Sequence, residues 1–137
     1  IVNEEAIDVY NHGIHKRDFT YISDIVSATI SILFKPASID NSWSSVSPKA
    51  NTSNSPWRIY NVGNNKMIEL KYFIELIESN LGKKAKKNFL PLQPGDVENT
   101  FADISDLSKD FGFISKVAIE EGVKNFVKWY KDFYKVN

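Results

Sequence analysis

Short apolar runs bounded by turn-forming residues alternate along the chain with longer stretches in which apolar residues recur every three or four positions. The short runs, rich in β-branched and aromatic residues, predict strands at residues 7–10, 19–22, 57–62 and 88–90. The longer stretches predict helices at residues 24–35, 69–81, 105–111 and from residue 119 onward. This mixture of strands and helices predicts an α/β fold.

Capping and stop signals mark the ends of the predicted helices. Asp24 is a candidate N-cap for the first helix, and Pro36 ends it. Gly82 and Gly112 are placed to stop the second and third helices. The apolar stripe of the first helix comprises Ile25, Thr29, Ile32 and Leu33. That of the last helix comprises Val123, Phe126, Val127, Tyr130, Phe133 and Tyr134.

Residues 36–56 differ in composition from the rest of the chain. They include seven Ser and three Asn, and after Ile39 their only large apolar residues are Trp43 and Val46. Such a segment buries too little apolar surface to offset the entropy lost on ordering. We therefore predict a mobile surface loop within one domain that spans residues 1–137.

Composition excludes several classes of function. The 17 basic and 17 acidic residues cancel, which argues against a nucleic-acid binder. The lack of Cys removes disulfides, thiolate metal sites and a Cys nucleophile, and it fits a reducing compartment. No apolar run is long enough to span a bilayer, so we expect a cytoplasmic protein with no membrane partner. The chain opens at Ile1 without an initiator Met, which suggests a piece of a longer protein.

Two short motifs carry the candidate chemistry. Residues 17–25 read RDFTYISDI, and residues 92–97 read LQPGDV. The planar guanidinium of Arg17 suits bidentate contact with a diphosphate, although an Arg here could also pair with Asp18 or with solvent. Asp96 follows Gly95 in a turn, where its carboxylate could accept hydrogen bonds from two ribose hydroxyls or could simply form the turn.

Together with residues 60–64 (YNVGN) and 122–130 (GVKNFVKWY), these motifs resemble the extended short-chain dehydrogenase/reductase family. Over nearly the whole chain the sequence is similar to the carboxyl-terminal part of UDP-glucuronate 4-epimerases. The resemblance implies a small mixed α/β substrate-binding lobe without the Rossmann domain. It also implies a UDP-sugar ligand and a role in polysaccharide biosynthesis.

The resemblance also implies roles for individual residues. Arg17 corresponds to the Arg that contacts the nucleotide diphosphate, and Asp96 to the Asp that binds the ribose. Gln93 corresponds to a residue beside the phosphates. An Arg is usual at this position in UDP-galactose 4-epimerases, so Gln93 makes the chain more similar to UDP-glucuronate 4-epimerases. The strand that contains Asp8 and Tyr10 corresponds to one whose backbone binds uracil. Ordinary strand pairing is the alternative for that backbone.

Epimerases of this family transfer a hydride to and from NAD, so the resemblance implies NAD as cofactor of the complete enzyme. The sequence contains no Gly-rich strand–turn–helix element for NAD and no Tyr followed four residues later by Lys in a matching context. We therefore expect no catalytic and no cofactor-binding residue in this chain, and no activity from it alone. Its expected partner is an absent N-terminal cofactor domain or a second copy of itself. The alternatives are part of a nucleotide-sugar dehydratase, a non-catalytic binding module from a split gene, or a plain interaction domain.

Three further features carry structural expectations. His12 and His15 lack Cys or carboxylate partners at fixed spacing, so we expect surface residues and no metal site. Ser23 stands where the family usually has Asp, which bears on helix stability more than on ligand contact. The lysines in residues 83–87 are expected to interact with a helix C-terminus and with solvent.

Overall fold

The structure, a computed structural model, describes residues 1–136 as two short sheets and four α-helices. A 3₁₀ turn at Tyr10–Gly13 follows the first strand. In chain order the strands and helices are β1 (Ala6–Val9), β2 (Lys16–Asp18), α1 (Ile22–Leu33), β3 (Met67–Glu69), α2 (Leu70–Leu81), β4 (Lys86–Phe89), α3 (Ser105–Phe111) and α4 (Ile119–Tyr134). The predicted mixed α/β class is confirmed.

Each sheet has two strands. β1 pairs in parallel with β4, with Val9 opposite Phe89. β2 pairs antiparallel with β3, with Arg17 opposite Ile68. The other edge of β2 is also occupied, because the Lys16 amide donates to the Glu98 carbonyl at 2.9 Å. Arg17 is therefore carried on a strand held from both sides.

The helices α2 and α4 pack against each other and supply much of the core. Ile74 of α2 and Val123 and Val127 of α4 are buried. The ring of Phe19 stacks on that of Phe73 with centroids 4.3 Å apart. Burial of Ile74, Val123 and Val127 contributes about 1.5–3 kcal/mol each. The stacking of Phe19 on Phe73 anchors the loop between β2 and α1 to this core.

Two predicted strands are wrong. Residues 19–21 form no strand; the observed strand, β2, ends just before them at Asp18. The rings of Phe19 and Tyr21 pack against α2 and α4, and their backbone joins no sheet. Residues 57–62 make only an isolated bridge, between Arg58 and Thr52. Their side chains bind α3: Arg58 pairs with Asp106 and Asp110, and the Tyr60 hydroxyl donates to Asp110 at 2.8 Å.

The predicted capping role of Asp24 is also wrong. The helix begins at Ile22, and Asp24 lies buried in its first turn. Its Oδ2 accepts hydrogen bonds from the Ser115 hydroxyl and from the Lys116 and Val117 amides, at 2.7–3.1 Å. Burial alone would raise the pKa of this carboxyl, but these hydrogen bonds outweigh it and hold the pKa below its usual value. Asp24 thus ties α1 to the segment before α4.

Two helices, α1 and α4, carry exposed large apolar side chains. Leu33 of α1 is 71% exposed, and the buried face of α1 contains Asp24 and Ala28. On α4, Gly122, Val123 and Val127 are buried. The exposed large apolar residues of α1 are Ile22, Val26, Ile30 and Leu33, and those of α4 are Phe126, Trp129, Phe133 and Tyr134.

The lysine cluster has a structural role that the sequence did not predict. Glu78 of α2 is buried, and Lys87 and Lys84 reach its two carboxylate oxygens at 2.6 and 3.0 Å. The Ala85 amide also donates to it, at 2.9 Å. The Lys87 hydrogen bond is the main cause that lowers the pKa of Glu78 from 4.5 to about 2.

Candidate functional site

Arg17 and Asp96, which the sequence motifs single out, are brought together by the fold. Nη2 of Arg17 donates to Oδ1 of Asp96 at 3.1 Å. Nη1 of Arg17 donates to the Glu98 carbonyl at 3.0 Å. The two side chains are 26% and 33% exposed, so both can reach a ligand from solvent. Asp18, the alternative partner considered for Arg17, is not the residue with which it pairs.

The turn before Asp96 sets the direction of its carboxylate. Gly95 has φ +86°, a left-handed conformation that favours glycine. The Asp96 amide then donates to the Gln93 carbonyl at 3.1 Å, which closes a tight turn. Asp96 Oδ1 accepts from the Val97 amide at 2.8 Å. The turn therefore holds a carboxylate beside the guanidinium of Arg17 on β2.

Asp18 is a structural centre that the sequence did not reveal. Its two oxygens accept hydrogen bonds from the amides of Asn64, Asn65 and Ala102, at 2.9–3.1 Å. Its own amide donates to the Thr100 hydroxyl at 3.3 Å. Asp18 thereby binds the turn after Gly63 to the segment that follows Glu98, and so supports the backbone beside Arg17.

His15 was expected at the surface, and that expectation is wrong. It is 4% exposed, whereas His12 is exposed. Its Nε2 lies 3.7 Å from Asp96 Oδ2. No predicted strand includes His15 and Arg17, and the observed strand begins at Lys16. No sequence pattern therefore indicated that His15 lies beside Asp96.

The other predicted site residues lie apart from this pair. Gln93 is exposed and contributes its carbonyl to the turn before Asp96. Asp8 lies on β1, where its Oδ1 accepts from the Asn88 side chain at 2.9 Å. Tyr10 was predicted to end the strand, but it begins the 3₁₀ turn. The ligand contacts assigned to these three residues stay predictions.

The arrangement suits an anionic ligand that also carries hydroxyl groups. A guanidinium binds phosphate through paired N–H donors, and a neighbouring carboxylate accepts from hydroxyls. Within residues 1–136 no cluster of three or more His, Asp or Glu side chains could hold a metal ion. In the same part of the chain no helix is long and apolar enough to cross a membrane.

Sequence comparison identifies relatives of the whole chain. Protein CapI of Staphylococcus aureus is 49% identical over 135 residues, which cover 98% of this chain and 40% of CapI. A probable UDP-glucuronate 4-epimerase of Rhizobium meliloti is 39% identical over 139 residues, which cover 98% of this chain and 40% of that protein. The chain therefore spans about 40% of the length of these curated relatives. No family model matches the chain.

Structural comparison also identifies a UDP-glucuronic acid 4-epimerase as similar to this chain. The UDP-glucuronic acid 4-epimerase of Bacillus cereus, in complex with UDP-glucuronic acid and NAD, matches at a TM-score of 0.74 and 26% identity. The match covers 97% of this chain and 37% of the epimerase. The chain belongs to the extended short-chain dehydrogenase/reductases as a carboxyl-terminal part.

A nucleotide-sugar dehydratase also shares this fold. The dTDP-glucose 4,6-dehydratase of Bacillus anthracis, in complex with NAD, matches at a TM-score of 0.73 and 19% identity. That match covers 98% of this chain and 37% of the dehydratase. At this identity the likeness concerns the fold alone, so the fold does not separate epimerases from dehydratases. The sequence relatives include UDP-glucuronate 4-epimerases.

Proposed function

We propose that this chain is the UDP-sugar-binding part of an NAD-dependent nucleotide-sugar epimerase whose substrate is UDP-glucuronate. The observation that carries the proposal is the meeting of Arg17 and Asp96, which come from motifs 79 residues apart and lie at one accessible place. Arg17 would bind the diphosphate and Asp96 the ribose. The lack of Cys fits a reducing compartment, and we place the enzyme in the cytoplasm.

Gln93, Asp8 and Tyr10 complete the proposed nucleotide site. Gln93 lies in the turn that ends at Asp96, so its side chain could reach the phosphates. Leu90 connects this turn to β1, because its amide donates to the Val9 carbonyl at 3.0 Å. Backbone groups near Asp8 and Tyr10 would bind uracil on that side.

The complete enzyme would need NAD and a catalytic base from outside this chain. Hydride transfer requires a cofactor held within reacting distance of the sugar, and nucleotide binding alone does not lower that chemical barrier. The chain alone should therefore not convert UDP-glucuronate to UDP-galacturonate in an assay supplied with NAD and freed of host epimerases. Sustained conversion would place catalytic residues within these 137 positions.

We further propose that the exposed faces of α1 and α4 are covered in the complete enzyme by the cofactor-binding domain. Ile22 of α1 and Phe126 of α4 line one apolar cavity of about 250 Å³, so the two faces meet. Apolar surface of this kind marks contact sites. Without that domain we expect the chain to self-associate, and sedimentation analysis that finds only monomer at high concentration would contradict this.

The proposed nucleotide site is tested by titrating the chain with UDP, UDP-glucuronate and NAD in separate calorimetric experiments. Replacing Arg17 by Ala should cost about 1.5–3 kcal/mol of UDP binding, because a charge-assisted contact to phosphate is lost. The matched control is Lys16→Ala, since Lys16 pairs with Glu69 on the other side of the strand. Equal UDP affinity in the parent chain and Arg17→Ala would show that Arg17 does not bind phosphate.

A dehydratase would bind a similar nucleotide, so affinity for UDP alone does not decide the reaction. The fold match to the dTDP-glucose dehydratase is the observation that keeps this alternative open. Competition between UDP and dTDP separates the two assignments: an epimerase of the proposed class should prefer UDP, and preference for dTDP would favour a dehydratase.

A further inference from the structure

His15 has a buried polar atom without a hydrogen-bond partner. Its side chain is 5% exposed, and Nε2 makes no hydrogen bond to any residue in the described range 1–136. Buried polar side-chain atoms usually have a partner, because leaving one unpaired costs its desolvation free energy. The candidate partner of this ring nitrogen is the Asp96 carboxylate, whose Oδ2 lies 3.7 Å away in the candidate ligand site.

The backbone holds the imidazole in this position. The His15 carbonyl accepts from the Leu70 amide at 2.8 Å, at the start of α2. The next residue, Lys16, is held on its other edge by Glu98 and Thr100. The backbone at His15 and Lys16 is thus held by hydrogen bonds from two sides, which fixes the point from which the His15 side chain extends.

The two oxygens of Asp96 have different surroundings. Oδ1 accepts from Arg17 and from the Val97 amide, at 3.1 and 2.8 Å. Oδ2 faces His15 Nε2 at 3.7 Å, which is slightly too long for a hydrogen bond. A small movement of the carboxylate would bring this pair into hydrogen-bond distance.

We propose that His15 is a positioning residue for Asp96 in the nucleotide-bound protein. When Arg17 turns from Asp96 to the diphosphate, the carboxylate loses its charged donor on Oδ1. Nε2 of His15 then donates to Oδ2 and keeps the carboxylate directed at the ribose hydroxyls. This inference rests on the proposed function and deepens it, because it names a residue that selects for an intact ribose.

The test compares the affinities of UDP and 2′,3′-dideoxy-UDP for the 137-residue chain and two variants. His15→Met removes the donor and keeps an apolar side chain of similar size, whereas His15→Gln keeps a donor. We expect His15→Met to weaken UDP binding about five- to tenfold, the value of one hydrogen bond. We expect it to leave 2′,3′-dideoxy-UDP affinity unchanged, and we expect His15→Gln to recover most of the UDP affinity.

A merely structural role for His15 would weaken both nucleotides equally, and that result would overturn the inference. Unchanged UDP affinity in His15→Met would overturn it as well. If the parent chain binds UDP through Arg17 while the His15 variants behave like the parent, this inference alone fails. If Arg17→Ala does not affect UDP binding, or UDP does not bind, the proposed function fails and the inference with it.

A second measurement uses the parent chain, so it remains decisive if a His15 variant does not fold. The chain has two histidines, and His12 is exposed, so its ring signals serve as an internal control in ¹⁵N NMR spectra. Saturating UDP should shift the His15 ring nitrogens and leave those of His12 in place. Unshifted His15 ring nitrogens at saturation would overturn the inference.

Discussion

Arg17 and Asp96, 79 residues apart in the chain, form an ion pair with 3.1 Å between Nη2 and Oδ1. Arg17 is the middle residue of β2, a strand whose two edges are both held by neighbouring backbone. A nucleotide that binds here must replace this contact with contacts of its own. The pair therefore keeps both side chains, the proposed ligand-binding groups, in place while the site is free.

Arg17→Ala should change the free energy of unfolding by less than about 1 kcal/mol, because both partners of this ion pair are partly exposed to water. Urea unfolding of the parent and the variant measures this difference. A small effect on stability combined with a large effect on UDP affinity would assign Arg17 to binding. A loss of more than 2 kcal/mol would instead make the pair part of the structural framework.

Glu78→Gln should lower the free energy of unfolding by about 1–3 kcal/mol at neutral pH, because the buried carboxylate binds two lysines and an amide. Glu75→Gln, on the exposed side of the same helix, is the matched control and should change it by less than about 0.5 kcal/mol. Equal effects of the two substitutions would contradict the structural role of Glu78.

The depressed pKa of Glu78 also predicts a pH dependence. Its ordinary value of 4.5 falls to about 2 in the folded chain, mainly through Lys87. The carboxylate therefore contributes its full stability above pH 4.5 and loses it progressively as the pH falls towards 2. The difference in unfolding free energy between the parent and Glu78→Gln should shrink over this range; a difference independent of pH would contradict the prediction.

Gly63→Ala should destabilise the chain by about 1–3 kcal/mol through overpacking. An added Cβ would meet the Ala102 side chain and lie 3.0 Å from Asp18 Oδ2. Adding Ala102→Gly should recover part of the loss, since it removes one of the two clashes. Thermal unfolding of the two single variants and the double variant measures this coupling, and strictly additive effects would exclude the predicted contact.

Helical periodicity predicted the helices well, because apolar spacing and stop signals are local. Gly82 and Gly112 end α2 and α3 in the left-handed conformation, as predicted. Which face is buried was less predictable, since it depends on what packs against the helix. Leu33 and Phe133 belong to regular apolar stripes but are exposed in this chain.

Only some residues of the candidate site could be predicted from the sequence. Arg17 and Asp96 belong to recognisable motifs, and the fold brings them together. Asp18 and His15 lack such a signal, because their partners come from distant segments that only tertiary structure places nearby. The strand prediction for residues 57–62 was wrong for the same reason: the side chains of this segment bind α3, a contact that only the tertiary structure creates.

Residues 36–56 are still predicted to be mobile, and the structure indicates where order would remain. Asp40 accepts from Ser42 and Thr52, and these hydrogen bonds lower its pKa. Amide hydrogen exchange should be fast through most of this segment and slower next to Asp40, because few apolar contacts hold the rest. Uniformly slow exchange would contradict the prediction.

We propose that UDP binds where Arg17 and Asp96 meet. Backbone NMR spectra recorded during a UDP titration of the chain test it directly, because each amide reports on its own surroundings. We expect saturable shifts concentrated at residues 15–18 and 93–98, and we expect these shifts to be lost in Arg17→Ala. Shifts that cluster elsewhere, or that persist unchanged in Arg17→Ala, would contradict it.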